Sequence, residues 1–376
     1  MQSKLIFTIS LETLSHQIQK TIQDEFQPTL AIIFASPAMG LEALRVLFNK
    51  NNIQIIGAST AGEIGNTAIQ GAGISLLLLD PPTSHFKIIQ REANYESSPE
   101  IGVQIAQVAQ TYFKNPAFIM VFSMNICGDT MIDGISKTLN GYPSIFGGMA
   151  GDDMKMKESY TFSNEKVSSN SVTVLILDND KIAVEGMALS GWQPIGLENK
   201  ITKANNNIIH EINEEPALDV VKRYFGDYFA NSLNEDSLSL GIAQYPLQII
   251  REDSYVLRAA LDSNESDGSL LMAGPVTTGD SFRFSIAPGF EVVEDTIQGF
   301  KDFAKEKPEA DALLMFSCVA RHMSLGPMIE EEIEGIYNVW QKPMAGFFTY
   351  GEVGQQSTGT SHFYNETCSL VLLKEL

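Results

Sequence analysis

One nine-residue run, written twice, constrains this chain more than any other feature. It reads Gly57-Ala-Ser-Thr-Ala-Gly-Glu-Ile-Gly65 toward one end and Gly346-Phe-Phe-Thr-Tyr-Gly-Glu-Val-Gly354 toward the other. Thr60 aligns with Thr349, Gly62 with Gly351, Glu63 with Glu352 and Gly65 with Gly354. A reduced copy, Ala150-Gly151-Asp152, lies between them. Glycines that free the backbone around one fixed carboxylate shape a loop to hold something. Repetition of that loop in 376 residues predicts a chain built from a duplicated unit.

The landmarks around each copy recur in one order. The first set runs through the apolar strand Leu30 to Ser36, a helical stretch Leu41 to Asn49 and a strand Ile53 to Ile56. The loop follows, and then the strand Ile74 to Leu79. The second set comprises Ala117 to Ser123, a helix near Thr130 to Leu139, a strand into Gly147-Gly148, the reduced loop and the strand Val172 to Leu177. The third comprises Asp311 to Ser317, a helix near Pro327 to Val339, the strand Met344 to Phe348, the second full loop and the strand Cys368 to Leu373. Strand–helix–strand units turning at glycine-rich loops predict an α/β fold (mixed α+β), with mixed sheets packed against helices.

Between the second and third sets the texture changes. Glu198 to Asn207 is polar and reads as a loop, and a helix is expected from Glu215 to Tyr228, starting near Pro216. Alternating strands are expected at Ser237 to Ile242, Ser254 to Leu261 and Ser281 to Ile286, with Asp262 to Gly268 a solvated turn. The division that follows is an N-terminal domain over residues 1–195, a connecting segment with a helix over 196–234, and a C-terminal domain over 235–376.

Forty-six acids against 25 bases give a formal charge of −21, which repels phosphates and argues against nucleic acid and anionic membranes as partners. The longest apolar runs are strand-sized, too short to cross a bilayer, and the N-terminus does not read as a secretory signal. Cys127, Cys318 and Cys368 lack CxxC spacing and cannot all pair with one another, so a reduced, cytoplasmic protein is expected.

The loops lack the lysine of a phosphate cradle, and Glu63 and Glu352 oppose a phosphate. Two readings of these acids stand side by side. Thr60 with Glu63, and Thr349 with Glu352, line a pocket for an ammonium or amide donor, or each acid accepts backbone N–H bonds within its own turn and stabilises the loop. Arg321 follows an apolar strand, where α/β proteins place binding residues, and its planar fork suits a ligand carboxylate. The alternative is an ion pair with Glu330 or Glu331. Cys318 and His322 lie four apart, as a thiol and an activating base would, although free cysteines are commonly inert and buried. His322 and His362 belong to no metal-binding pattern, and haem, which needs only one axial histidine, stays open.

Gly57 to Ile64, Phe146-Gly-Gly-Met-Ala-Gly-Asp152, Ser317-Cys-Val-Ala-Arg321 with Leu325-Gly326, and Gly346 to Glu352 together resemble the FIST family (F-box and intracellular signal transduction). The resemblance spans nearly the whole chain. It implies paired FIST N and FIST C domains acting as a sensory input that binds small ligands such as amino acids. It also implies signalling through a separate protein such as a histidine kinase or a cyclic-dinucleotide enzyme. Some relatives are haem-dependent nitric oxide sensors. The chain departs from the family at Ala320, where glycine is common, and at Tyr364, where the family has histidine before Asn365-Glu366-Thr367.

The expectation is therefore a non-enzymatic sensor. Arg321 holds a carboxylate, Thr349, Tyr350 and Glu352 orient the polar end, and Asn365 and Cys318 lie close by. Thr60 and Glu63 form the corresponding N-terminal loop. No resident cofactor is expected, with haem as one alternative and an enzyme using Cys318 as nucleophile as another.

Overall fold

A computed structural model describes residues 1–23, 26–226, 245–251, 254–287, 289, 291–356 and 359–376. The expected strand Ser237 to Ile242 and the end of the helix expected to reach Tyr228 lie outside the described residues.

The chain traces one motif three times. The first unit is β1 (Ser3–Thr8), α1 (Leu11–Gln23), β2 (Leu30–Ala35), α2 (Leu41–Lys50), β3 (Gln54–Ser59), β4 (Glu63–Gly65), β5 (Ala68–Gln70) and β6 (Ile74–Leu79). The second is β7 (Phe86–Glu92), α3 (Ser98–Tyr112), β8 (Pro116–Phe122), α4 (Gly128–Leu139), β9 (Ile145–Met149), β10 (Thr161–Ser163), β11 (Val167–Ser168) and β12 (Ser171–Asp178).

The third unit opens with β13 (Ile182–Leu189) and is then interrupted. The interruption holds β14 (Gln193–Asn205), β15 (Ile208–Ile212), β16 (Glu215–Pro216), α5 (Ala217–Phe225), β17 (Leu247–Arg251), β18 (Ser254–Arg258), β19 (Ala260–Asn264), β20 (Ser269–Met272) and β21 (Ser281–Ile286). The unit resumes with α6 (Glu291–Glu306), β22 (Ala312–Cys318), α7 (Val319–Leu325), α8 (Met328–Trp340), β23 (Met344–Thr349), β24 (Glu352–Gln355), β25 (Ser361–Tyr364) and β26 (Cys368–Glu375).

Each unit contributes four strands to its own six-stranded sheet and sends its hairpin to another. The orders are β1-β6-β2-β3-β10-β11, β7-β12-β8-β9-β24-β25 and β13-β26-β22-β23-β4-β5. The first hairpin thus completes the third sheet, the third completes the second, and the second completes the first. Within each sheet the pairs β2/β3, β8/β9 and β22/β23 are parallel, and the last strand of the unit returns antiparallel to the first of each pair.

Alternate residues on these strands pack inward on one shared apolar axis, where Phe34 lies 5.8 Å from Phe316 and 4.6 Å from Phe347 between ring centroids. The opposite faces are covered by helices, α1 and α2 on the first sheet and the remaining core helices on the other two. Strands buried on both sides read as continuous hydrophobic runs, which is why Leu30 to Ala35 and Ala312 to Phe316 are apolar without alternation.

The interrupting segment forms an eight-stranded sheet with its own core around Ile201, Val221, Phe282 and Phe284. One sequence expectation changes here. The polar stretch Glu198 to Asn207, expected as a loop, is mostly the long strand β14. Most of its side chains face water, with Asn199 and Ile201 buried, so no apolar alternation announced it. Its pairing with β15 and β21 is broken by register shifts. The helix expected near Pro327 to Val339 is α8, and α7 precedes it; Gly326, at φ 55°, separates the two and Pro327 starts the second.

The three loops meet in a closed ring of backbone hydrogen bonds. Ala61 N donates to Phe348 O (3.0 Å) and Phe348 N to Gly62 O (2.8 Å). Met149 N donates to Gly351 O (2.8 Å) and Tyr350 N to Met149 O (3.1 Å). Gly151 N donates to Ser59 O (2.9 Å) and Asp153 N to Thr60 O (2.8 Å). At Gly151 an added Cβ would lie 2.6 Å from Ala61 N and 2.7 Å from the Thr60 carbonyl carbon, so only glycine lets these backbones meet. Gly151→Ala is expected to destabilise the protein by about 1–3 kcal/mol or more through overpacking against backbone. Gly71→Ala, where a Cβ meets nothing within 4 Å, serves as the control. Urea unfolding of both variants checks this, and equal midpoints would show that the ring tolerates widening.

Candidate functional site

The ring fixes the acids of the glycine loops inside their own turns. Thr60 Oγ1 donates to Glu63 Oε1, and Thr349 Oγ1 to Glu352 Oε1. Glu352 Oε2 also accepts from Thr367 Oγ1 at 2.7 Å and from Thr367 N at 3.3 Å. Both acids are fully buried. Burial pushes Glu63 up to about 7, against the hydrogen bond from Thr60, and pushes Glu352 up to about 8, against those from Thr349 and Thr367. In the reduced loop burial also disfavours the Asp152 charge. Hydrogen bonds from the Tyr350 hydroxyl and the amides of Lys157, Glu158 and Met156 outweigh it and hold that carboxyl low. Glu63 and Glu352 thus each accept from the threonine three residues before, and Glu352 also from the β25–β26 turn, while Glu63 Oε2 has no hydrogen-bond partner.

Arg321 corrects the expected carboxylate clamp. Its guanidinium is fully buried and stands 5.0 Å from the centroid of the Trp192 ring. Nε donates to Glu332 Oε1 at 2.9 Å and Nη2 to Glu332 Oε2. The other donations go to Thr296 Oγ1 (3.0 Å), Ser190 O and Glu366 O (3.3 Å). All five donors of the fork are used within the protein, leaving none for a ligand. The partner is Glu332 on α8, neither Glu330 nor Glu331. Arg321 instead ties α7 to α6, α8 and the β25–β26 turn.

In front of this polar anchor lies a cavity of about 200 Å³ between the threefold core and the inserted sheet. The core supplies Tyr95, Met124, Ile126, Cys127, Met149, Met156, Cys318, Ala320, Met323, Tyr350, Phe363, Asn365 and Glu366 among its walls. The inserted sheet supplies Asn207, Ala259, Leu261 and Met272 to Pro275. Of the residues singled out in the sequence, Cys318, Tyr350 and Asn365 line the cavity, whereas Arg321, Thr349, Glu352, Thr60 and Glu63 do not. Arg258 straps the two parts together. It donates to Asp129 Oδ1 and Phe363 O (both 2.7 Å) and to Pro275 O (3.2 Å).

Glu366 was missed as a site residue. Its backbone is left-handed at φ 57°, unusual for a residue with a Cβ, and both of its buried carboxylate oxygens lack a hydrogen-bond partner. Burial pushes its carboxyl well above the usual range, with Glu352 adding to the rise and Arg321 opposing it. The methionine walls were missed too, because Met124, Met149, Met156, Met272 and Met323 come from separate elements and share no spacing.

Cys318 sits where the thiolate form is disfavoured. Burial and the neighbouring Glu352 and Glu366 push its thiol well up, so it rests protonated. The ring of His322 stacks on Phe348 at 4.1 Å between centroids, and burial lowers its basicity. Neither His322 nor His362 lines the cavity, which offers a haem no imidazole. Among the described residues no group of three or more His, Cys, Asp and Glu is placed to hold a metal ion, and no helix is long and apolar enough to cross a membrane. Cys127, Cys318 and Cys368 are free and buried.

Two family models match the chain, the FIST N domain over residues 29–215 and the FIST C domain over residues 217–355. No curated protein matches it.

Two outcomes follow from the buried polar groups. Arg321→Met strands Glu332 without a counter-charge and is expected to cost about 3–5 kcal/mol in urea unfolding, most of it recovered in Arg321→Met/Glu332→Leu. Failure of the double variant to recover would place the cost in the other Arg321 contacts. Separately, the Glu352 carboxyl is held at about 8 when folded against an ordinary 4.5, so the folded state keeps a proton that the unfolded chain gives up. Stability then falls as pH rises from about 5 to about 8, and Glu352→Gln is expected to make that fall shallower in urea midpoints taken across the window.

Proposed function

The chain belongs to the FIST family, and from that premise and the cavity we propose that it is a sensory module whose ligand sits between the threefold core and the inserted sheet. FIST domains are associated with sensing in signal transduction. The observation that carries the reading is the make-up of the cavity walls. They come from both parts of the chain, are largely apolar, and hold a few polar groups in Tyr95, Asn207, Asn365 and Glu366.

A ligand that touches α7 and Asn365 on one side and Met272 to Pro275 on the other favours one arrangement of the two parts over others. Its differential affinity is the only source of a signal. The output passes to a separate signalling protein. The walls include no Lys, Arg or His, so a ligand carboxylate finds no counter-charge inside. The ligand is therefore better described as a small apolar body with a hydrogen-bond donor than as an amino acid gripped by its carboxylate. The polarizable, flexible methionines suit such a body, since they repack around varied shapes.

A thermal-shift screen of small metabolites tests the reading, because a ligand of the folded state raises the melting temperature with its concentration. Hits are expected among compact apolar molecules and are expected to vanish in Ala320→Phe, whose ring fills the cavity from α7. Hits that persist undiminished in a folded Ala320→Phe would place binding elsewhere.

A further inference from the structure

We propose that the cavity selects a primary amine with an apolar body, and that Glu366 is the residue that reads its ammonium group. This rests on the sensory reading of the same cavity and adds the class of ligand to it. The argument begins with a chemical deficit. A buried carboxyl without a hydrogen-bond donor is costly, and native proteins seldom leave both oxygens in that state. Glu366 is fully buried, and neither of its oxygens meets a donor from the chain, although it adjoins a guanidinium.

The Arg321 fork is spent on Glu332, Thr296, Ser190 and the backbone oxygen of Glu366 itself, so it fixes the position of the residue without satisfying its carboxyl. The left-handed backbone at Glu366 is a second cost at the same residue. Its neighbours are held as tightly. Cys318 N donates to Thr367 O at 3.0 Å and Asn365 N to Leu257 O at 3.3 Å, which presses the turn between α7 and the inserted sheet.

The missing partner must come from the cavity that Glu366 lines. A compact cation with three N–H donors answers both oxygens, and the neighbouring Asn365 amide is a further polar contact. The walls also include Met323, Met272, Phe363 and Val319, which accept an alkyl or aryl body and reject a second charge. With no base or guanidinium in the lining, the site opposes anions and favours a cation of the same shape over its neutral isostere.

The test compares three probes of one shape, phenethylamine, 2-phenylethanol and 3-phenylpropanoate, by calorimetry and thermal shift on the full chain. The amine is expected to bind on the order of tenfold tighter than the alcohol, with the carboxylate weakest. Glu366→Gln keeps the shape and removes the group that ionises against the ammonium. It is expected to abolish the amine's advantage while leaving the alcohol's affinity within about threefold, and to melt close to the wild type, because a buried carboxyl held neutral is replaced by a neutral amide of the same shape. Amine and alcohol binding equally, in wild type and in Glu366→Gln, would overturn the charge pairing and leave the cavity reading standing. Absence of binding by all three probes would remove both.

Discussion

The hydrogen-bonded ring of three loops is the constraint on which the rest of the architecture depends. Each unit closes its sheet with a hairpin borrowed from another unit, and each exchanged hairpin follows a loop of the ring in the chain. A unit on its own would lack the edge pair that completes its sheet and would expose the inward face of its strands. Cooperativity is thus imposed by topology. The last hairpin needed for the third sheet comes from residues 63–70, and the one for the second comes from residues 352–364, so most of the chain must be present before either sheet is whole.

Buried charge plays two different parts around this ring. The Arg321–Glu332 pair is saturated, with every donor of the fork answered, and it acts as a fixed post behind the cavity. Glu366, held by that post through its backbone, is left unanswered at the carboxyl. A saturated anchor next to an unsatisfied group is the pattern expected where structure has been arranged to keep a functional group ready, since the strain at one residue is sustained by its over-determined neighbours.

Much of the core could be read from the residues. The apolar runs from Leu30, Ala117 and Asp311 are the first strands of the three parallel pairs, and their lack of alternation is a direct consequence of burial on both faces. The exchange of hairpins could not be read, because Glu63–Gly65 is only three residues long and its partner is chosen by register with Ala345 to Phe347, far along the chain. In the site, Cys318, Tyr350 and Asn365 were found because strand ends and loops commonly carry ligands. Arg321 misled because charge and position look the same whether a guanidinium faces a ligand or a glutamate from the next helix. Glu366 had no signal of its own, since its character comes from a backbone conformation and from what fails to reach it.

The inserted sheet gives the molecule its asymmetry. A scaffold with threefold repetition presents three comparable corners, and the ring joins each pair of its loops by two backbone hydrogen bonds. Among the described residues, the corner beside β22 and α7 is roofed by a segment that leaves after β13 and returns at α6, and whose strands form a sheet of their own. Changes in that roof alter the shape and chemistry of the chamber while the ring beneath stays closed. Such a division lets one frame serve many chemical inputs, with recognition evolving in the lid and folding protected in the base.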